Sequence, residues 1–191
     1  MIYLKNMIYT KTGDQGTTSL PTGERVEKHA PIICFYGMLD ELSSRLGLLA
    51  SLLREQSYLS SVKADIVLIE NVQQILFRWA SLPQPVKSCH NDVTLLEHSI
   101  DEIHRLVSGI FKGFVLPGGN VVAAETHIVR CSVRRFEREL YALLPEFSTT
   151  MTEALEGTGA FILINRLSDY LYALARKINY LTGNDEKKAQ L

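Results

Sequence analysis

The chain has 191 residues, enough for one domain with a sizeable hydrophobic core, and we predict a single domain over residues 1–191. Its 20 basic and 21 acidic residues give a net charge of −1, which argues against nucleic acid or a membrane surface as a partner. Any anion-binding site must therefore be local.

The cysteines Cys34, Cys89 and Cys131 are odd in number and lack the spacing of metal ligands. This usage predicts free thiols in a reducing compartment rather than disulfides. No segment approaches the roughly 18 uninterrupted apolar residues of a membrane-spanning helix. We therefore expect a cytoplasmic protein.

Residues 7–30 predict an irregular N-terminal loop, because glycine, proline, threonine and serine recur through them. Glycine N–H groups, hydroxyl groups and an ammonium group in this loop suit phosphate oxygens. The candidates are Thr10, Lys11, Thr12, Gly13, Gly16, Thr17 and Thr18. A Walker A loop is excluded, because no glycine precedes Lys11 at the required spacing. A flexible N-terminal arm is the alternative.

Apolar residues at intervals of three and four predict two long helices, from Pro31 to about Ser57 and from about Tyr58 to Ala80. A third, shorter helix is predicted from Val93 to Val107, with Asn91 or Asp92 as its N-cap.

The fourth predicted helix follows the turn at residues 117–119, takes Asn120 as its N-cap and runs to about Leu144. Basic residues recur on one face of this helix at spacings of three, four and four. They form a basic ridge that consists of His127, Arg130, Arg134 and Arg138, and Glu137 lies beside it. Aligned cations repel, so the ridge predicts a bound anion or a facing carboxylate such as Asp40. A solvated basic face, with Asp40 paired locally, is the alternative.

The last predicted helix starts near Thr150, with an interruption near Gly157 and Gly159, and ends at Gly183. Residues 184–191 are charged and predict a disordered tail. Five helices without a convincing strand predict an all-α, up-and-down bundle. The chain lacks the paired Glu-x-x-His motifs of di-iron bundles, zinc-ligand spacing and a nucleophile elbow.

Four sequence blocks carry a family resemblance. They are YTKTGDQGTTSL with GERVEK, then YGMLDELSS on the first helix, FVLPGG followed by H-x-x-R-x-x-x-RR-x-ER, and INRLSDYL on the last helix. In this order, over residues 7–180, they resemble the PduO-type ATP:cob(I)alamin adenosyltransferases. The resemblance implies a homotrimer of five-helix bundles with active sites between subunits. Its expected reaction moves the 5′-deoxyadenosyl group of ATP to the cobalt of cob(I)alamin and releases triphosphate.

The resemblance also implies site residues. Positions that match ATP contacts are Thr10, Thr12, Gly13, Gly16, Thr17, Thr18, Lys28, Arg134, Glu137 and Asn165. Lys11 would join Lys28, Arg134 and phosphate-bound magnesium in neutralising the triphosphate, without a dedicated protein metal site. Asp40 and Arg130 match a salt bridge on the corrin side. Phe114 matches an aromatic residue that displaces the lower axial ligand of cob(II)alamin.

Departures from the family pattern at Cys34, Ser43 and Asn120 bear on corrinoid preference. The resemblance further implies a reductase or an adenosylcobalamin-dependent acceptor enzyme as a protein partner. Two other classes stay open: a non-catalytic trimeric sensor or delivery protein that binds ATP or a corrinoid, and a helical interaction scaffold.

Overall fold

The computed structural model describes residue 9 and residues 11–82, 87–108 and 115–189. Within these ranges it contains six α-helices, one short 3₁₀ helix and one two-stranded hairpin, so the predicted all-α class is confirmed. The elements are β1 Thr17–Ser19, β2 Arg25–Glu27, α1 Pro31–Arg54, α2 Leu59–Trp79, α3 His90–Val107, α4 Val121–Leu143, the 3₁₀ helix Leu144–Glu146, α5 Thr149–Thr158 and α6 Ala160–Leu181.

The core lies where the apolar stripes of the helices meet. Helix α1 packs against α2 and α4, and α6 packs against α4 and α3, which gives the order α2–α1–α4–α6–α3 across the bundle. Leu46 on α1, Val133 on α4 and Leu167 on α6 are fully buried, as their helical spacing predicts. Each such side chain stabilises the fold by about 1.5–3 kcal/mol through burial.

The expectation of a strand-free chain is wrong for the N-terminal loop. Strand β1 pairs antiparallel with β2, and Thr18 lies opposite Val26. Gly16 and Gly23 have φ angles of 82° and 88°, which glycine adopts without steric cost, and both lie where the chain turns. Strands of three residues are too short to create a visible alternation of apolar and polar residues.

The predicted interruption of the last helix is confirmed at Gly159, so five predicted helices become six. Gly159 has a φ of 79°, which ends α5 and starts α6. The predicted end of the last helix at Gly183 is also confirmed. Helix α6 stops at Leu181, and Gly183 has a φ of 65° and donates its N–H to the Tyr180 carbonyl at 3.2 Å.

Helix α3 begins earlier than predicted, at His90, so the prediction of Asn91 or Asp92 as its N-cap is wrong. Cys89 precedes the helix and is held by the end of α5: its N–H and thiol both donate to the Thr158 carbonyl, at 2.9 and 2.8 Å. Burial raises the pKa of Cys89 to about 11, so the thiol keeps the proton that it donates. This tertiary contact sets the start of the helix.

The prediction of a disordered tail is wrong for residues 184–189. The Lys187 carbonyl accepts the N–H of Leu116 at 2.8 Å, and Lys188 forms a β-bridge with Val115. An ion pair of 2.9 Å joins Arg176 Nε to Glu186 Oε2, with only 11% and 5% of their side chains exposed. The charged tail is therefore folded onto the segment that leads into α4.

A buried polar cluster crosses the bundle between α2 and α6. Asp65 is 4% exposed and accepts a hydrogen bond of 2.8 Å from the Tyr170 hydroxyl and one of 2.6 Å from Lys177 Nζ. Burial and the adjacent Asp65 carboxylate raise the pKa of Tyr170, which keeps the phenol protonated as a donor. The cluster fixes the register of α6 against α2.

Across the described ranges, no helix is both long and apolar enough to cross a bilayer.

Candidate active site

The turn into α4 is held by one buried amide side chain. Asn179, 2% exposed on α6, accepts the Asn120 N–H at 2.9 Å and donates to the Gly118 carbonyl at 3.0 Å. The predicted N-cap is confirmed, because Asn120 Oδ1 accepts the Val122 N–H at 2.8 Å. The start of α4 is therefore anchored to α6.

Replacing Gly119 with alanine is expected to break this anchor. Gly119 has a φ of 95°, and a Cβ there would lie 2.3 Å from Asn179 Oδ1. We expect the free energy of unfolding in a urea titration to fall by about 2–4 kcal/mol. The control is Gly157→Ala in α5, where a Cβ meets nothing within 4 Å and alanine is the better helix former. Equal stability of Gly119→Ala and the wild type would contradict this reading of the turn.

A cavity of about 710 Å³ lies beside this turn, between α3, α4, α6 and the segment at residues 115–117. One wall carries His127, Arg130 and Arg134 from the basic ridge. The opposite parts of the wall are largely apolar, with Ile103 and Val107 from α3. The cavity therefore combines an apolar surface with basic side chains from α4.

His127 does not lie on an exposed ridge as predicted. It is 3% exposed, its ring centroid is 6.1 Å from that of Tyr172, and its Nδ1 has no hydrogen-bond partner within the described residues. Burial, reinforced by the nearby Arg130 charge, lowers the pKa of His127 to about 4. The imidazole is therefore neutral at pH 7, and the ridge's positive charge comes from its arginines.

The arginines of the ridge differ in their surroundings. Arg130 is half-buried, and its Nε has no acceptor within the part of the chain that the structure describes. Arg134 is exposed and lines the cavity. Arg138 is also exposed, donates to the Arg134 carbonyl at 3.1 Å and does not line the cavity.

Two predicted nucleotide contacts meet one turn further along α4. Glu137 Oε1 accepts a hydrogen bond of 3.0 Å from Asn165 Nδ2 on α6. Asp40, in contrast, is exposed and makes no ion pair with Arg130 within the described residues. The neighbouring residue Glu41 pairs with Arg45 and with Arg135. The hydrogen bond from Arg45 is the largest cause of the lowered pKa of Glu41, and Arg135 lowers this pKa further.

The N-terminal candidates gather around the hairpin, away from this cavity. Lys28 donates its N–H to the Gly16 carbonyl at 2.8 Å, and its Nζ lies 3.5 Å from the position of a Cβ on Gly13. Thr17 and Thr18 point to opposite faces of the hairpin, because successive strand residues alternate. No residue of this region lines the 710 Å³ cavity. Thr10 and Phe114 lie outside the described residues.

A second cavity, of about 680 Å³, lies between the hairpin turn, the start of α1 and the end of α2. Its described lining is mainly apolar, including Ile32, Phe77 and Phe147, and contains no lysine, arginine or histidine. A polyanion has no counter-charge there, so the cavity beside α4 is the better candidate site.

Residues 8–178 match the family model described as cobalamin adenosyltransferase. The chain belongs to this family.

Named relatives agree with the match. The corrinoid adenosyltransferase PduO of Salmonella typhimurium is 37% identical over 179 residues, which cover 88% of this chain and 48% of the relative. A corrinoid adenosyltransferase of Citrobacter freundii is 36% identical, and the match covers 88% of this chain and 93% of the relative. The chain thus spans about half the length of the PduO relatives.

A solved structure extends the similarity to three dimensions. It is a single-residue variant of a PduO-type ATP:corrinoid adenosyltransferase from Lactobacillus reuteri, complexed with cobalamin and ATP. The TM-score is 0.79 at 30% identity, with 96% of this chain and 97% of the other covered.

The sequence left several site residues of this family member unrecognised. Asn179 acts through Gly118 and Asn120, which are distant along the chain, so local pattern carries no signal for it. Arg25 was a different case. It lies within the GERVEK block, but its contacts with β1 depend on the pairing of β1 with β2, which the sequence does not show.

Proposed function

We propose that this chain transfers the 5′-deoxyadenosyl group of ATP to the cobalt of cob(I)alamin, giving adenosylcobalamin and triphosphate. The observation that carries the proposal is the 710 Å³ cavity, whose apolar wall suits a large planar ring and whose arginines suit a polyphosphate. The Lactobacillus reuteri relative complexed with cobalamin and ATP supports the same pair of substrates here.

The reaction needs positioning and charge neutralisation rather than an added base. The electron pair of cob(I)alamin attacks C5′ of ATP, and the C5′–O bond breaks with its electrons leaving on the triphosphate. No proton moves at the reacting atoms, so the chain requires no nucleophile–base pair. We assign Arg134, Lys11, Lys28 and phosphate-bound magnesium to the neutralisation of the leaving group, and Glu137 and Asn165 to the nucleotide.

We further propose that the site is completed between protomers of a homotrimer. The loop bearing Lys11, Thr12 and Gly13 does not line the cavity of its own protomer, which supports its donation to a neighbour. Asp40 is exposed and the Arg130 Nε has no acceptor within the described residues, so the carboxylate of one protomer can pair with the guanidinium group of its neighbour. Light scattering on the purified chain tests this arrangement, and a monomer that retains full activity would contradict it.

Phe114 is proposed to favour a four-coordinate cobalt by filling the lower axial side. Phe114→Ala is expected to lower turnover about tenfold or more when the enzyme starts from cob(II)alamin with a reductant, because water would reach the vacant face. Turnover with chemically pre-reduced cob(I)alamin should fall much less. The two rates are measured by the appearance of the adenosylcobalamin spectrum, and equal losses would contradict this role.

The proposed activity is tested by incubating the chain with ATP, magnesium and chemically reduced cobalamin. The adenosylcobalamin spectrum should appear together with one triphosphate per product, and omission of magnesium should slow it. Binding of ATP without product would instead indicate a sensor or delivery protein, and binding of neither substrate would indicate a scaffold. We also propose a cytoplasmic location, supported by three free thiols, and a reductase or acceptor enzyme as a partner.

A further inference from the structure

Arg25 occupies a defined place on the N-terminal hairpin. It lies on β2 directly opposite Ser19, and Thr17 is two residues from Ser19 on β1. Since side chains alternate between the faces of a strand, Arg25, Ser19 and Thr17 share one face, while Thr18 and Val26 share the other. Arg25 can therefore reach the loop residues that precede β1.

The guanidinium group of Arg25 is held by three oxygen atoms of the loop and β1. Nη2 donates to the Thr12 carbonyl at 2.6 Å and also to Thr17 Oγ1. Nη1 donates to Ser19 Oγ at 3.3 Å. An exposed arginine usually pairs with a carboxylate or with solvent, whereas this one links a loop carbonyl to two strand hydroxyls. The fork shape of the guanidinium group, which a lysine lacks, makes this possible.

These contacts determine where two hydrogen-bond donors point. A hydroxyl group has one proton and two lone pairs, so Thr17 Oγ1, which accepts from Arg25, must turn its own proton away from the guanidinium. In a trans peptide the C=O and N–H groups point in opposite directions. The Thr12 carbonyl faces Arg25, so the Gly13 N–H is turned away from it.

The ammonium group of Lys28 lies beside the same peptide. Its Nζ is 3.5 Å from the position that a Cβ on Gly13 would take, and a Cβ there would also lie 3.3 Å from the Thr17 carbonyl. The Gly13 peptide, the Thr17 backbone and the Lys28 ammonium group therefore lie close together. Arg25 uses three of its N–H groups within the loop and β1, and these bonds set the geometry of the group.

We propose that Arg25 is a positioning residue that orients the Gly13 N–H and the Thr17 hydroxyl toward the triphosphate of the nucleotide. This inference rests on the proposed function for the identity of the nucleotide. It goes beyond that function because it gives Arg25 an indirect role, acting through Thr12 and Thr17 rather than by its own contact with phosphate.

The test measures equilibrium binding of magnesium-ATP and of adenosine by calorimetry. Arg25→Ala is expected to weaken ATP binding by about 10- to 100-fold, as two charge-assisted donors lose their alignment, and to leave adenosine binding unchanged. Arg25→Lys, which keeps the charge but not the fork, should lose nearly as much. Arg54→Ala is the control, since this exposed arginine pairs with Glu70 on α2, far from the hairpin in sequence and contacts.

A double-mutant cycle separates indirect from direct action. If Arg25 acts through Thr17, the losses of ATP affinity in Arg25→Ala and Thr17→Val should combine to less than their product in the double variant. Fully multiplicative losses, or wild-type affinity in Arg25→Lys, would mean direct charge contact and overturn the inference. An equal loss of ATP and adenosine would mean that the hairpin is disrupted, which also overturns it.

The outcomes for the wild type keep this inference distinct from the proposed function. If the wild type binds ATP with the expected Arg25 dependence but makes no adenosylcobalamin, the positioning role stands and the proposed catalysis fails. If the wild type is active and Arg25→Ala binds ATP normally, the catalysis stands and the positioning role fails. A wild type that binds no triphosphate would overturn both.

Discussion

Replacing Arg134 with alanine is expected to lower kcat/KM for adenosyl transfer by about 10³-fold. The guanidinium group lies on the cavity wall, where it can neutralise charge that develops on the departing triphosphate. The fold should survive, because the side chain is exposed and opposes the buried stripe of α4. Adenosylcobalamin formation measures the loss, and circular dichroism measures folding.

Arg138→Ala is the matched control for this experiment. Arg138 is on the same face of α4, is also exposed and lies one turn beyond Arg134, outside the cavity lining. Its loss removes one positive charge and one hydrogen bond to the Arg134 carbonyl, so activity should stay near that of the wild type. Near-normal activity in Arg134→Ala, or the same loss in both variants, would defeat the proposed role of Arg134.

Asp65→Ala is expected to lower the free energy of unfolding by about 3–5 kcal/mol. The change leaves the ammonium of Lys177 without its carboxylate and the Tyr170 hydroxyl without its acceptor, both in the bundle interior. For a domain of this size the corresponding fall in Tm is about 10 °C. Urea titrations at one fixed protein concentration measure the difference.

Two further variants identify the cause of this loss. Glu70→Ala removes an exposed ion pair with Arg54 and should cost at most about 1 kcal/mol. Adding Lys177→Met and Tyr170→Phe to an Asp65→Leu variant should restore much of the stability, because no buried charge or donor is then unpaired. A small loss of unfolding free energy in Asp65→Ala would show that water replaces the hydrogen bonds that Lys177 and Tyr170 make to Asp65, and would contradict the prediction.

Helix periodicity accounts for much of what the sequence predicts correctly. Stripes such as Leu39, Leu46 and Leu53 on α1 are buried because each position follows the last by two turns. Asn120 is predictable as an N-cap because its side-chain oxygen can accept the N–H of a residue only two positions further along the chain. These features depend on residues that are close along the chain.

The corrections come from contacts between distant residues. The start of α3 depends on the Thr158 carbonyl, and the order of the tail depends on Arg176 near the carboxyl end of α6. His127 lies on the same face of α4 as the ridge arginines, yet it is buried, and its ring centroid is 6.1 Å from that of Tyr172 on α6. Local spacing cannot reveal which turns of a helix a neighbour covers.

The paired tail also constrains how the protein is handled in the laboratory. Lys187 and Lys188 run alongside Leu116 and Val115, and Val115 lines the 710 Å³ cavity, so a label attached to either lysine would lie close to that cavity. A dye or biotin is better attached to a cysteine introduced at Lys63, which is exposed on α2 at the outer edge of the bundle, after the exposed thiols of Cys34 and Cys131 are replaced.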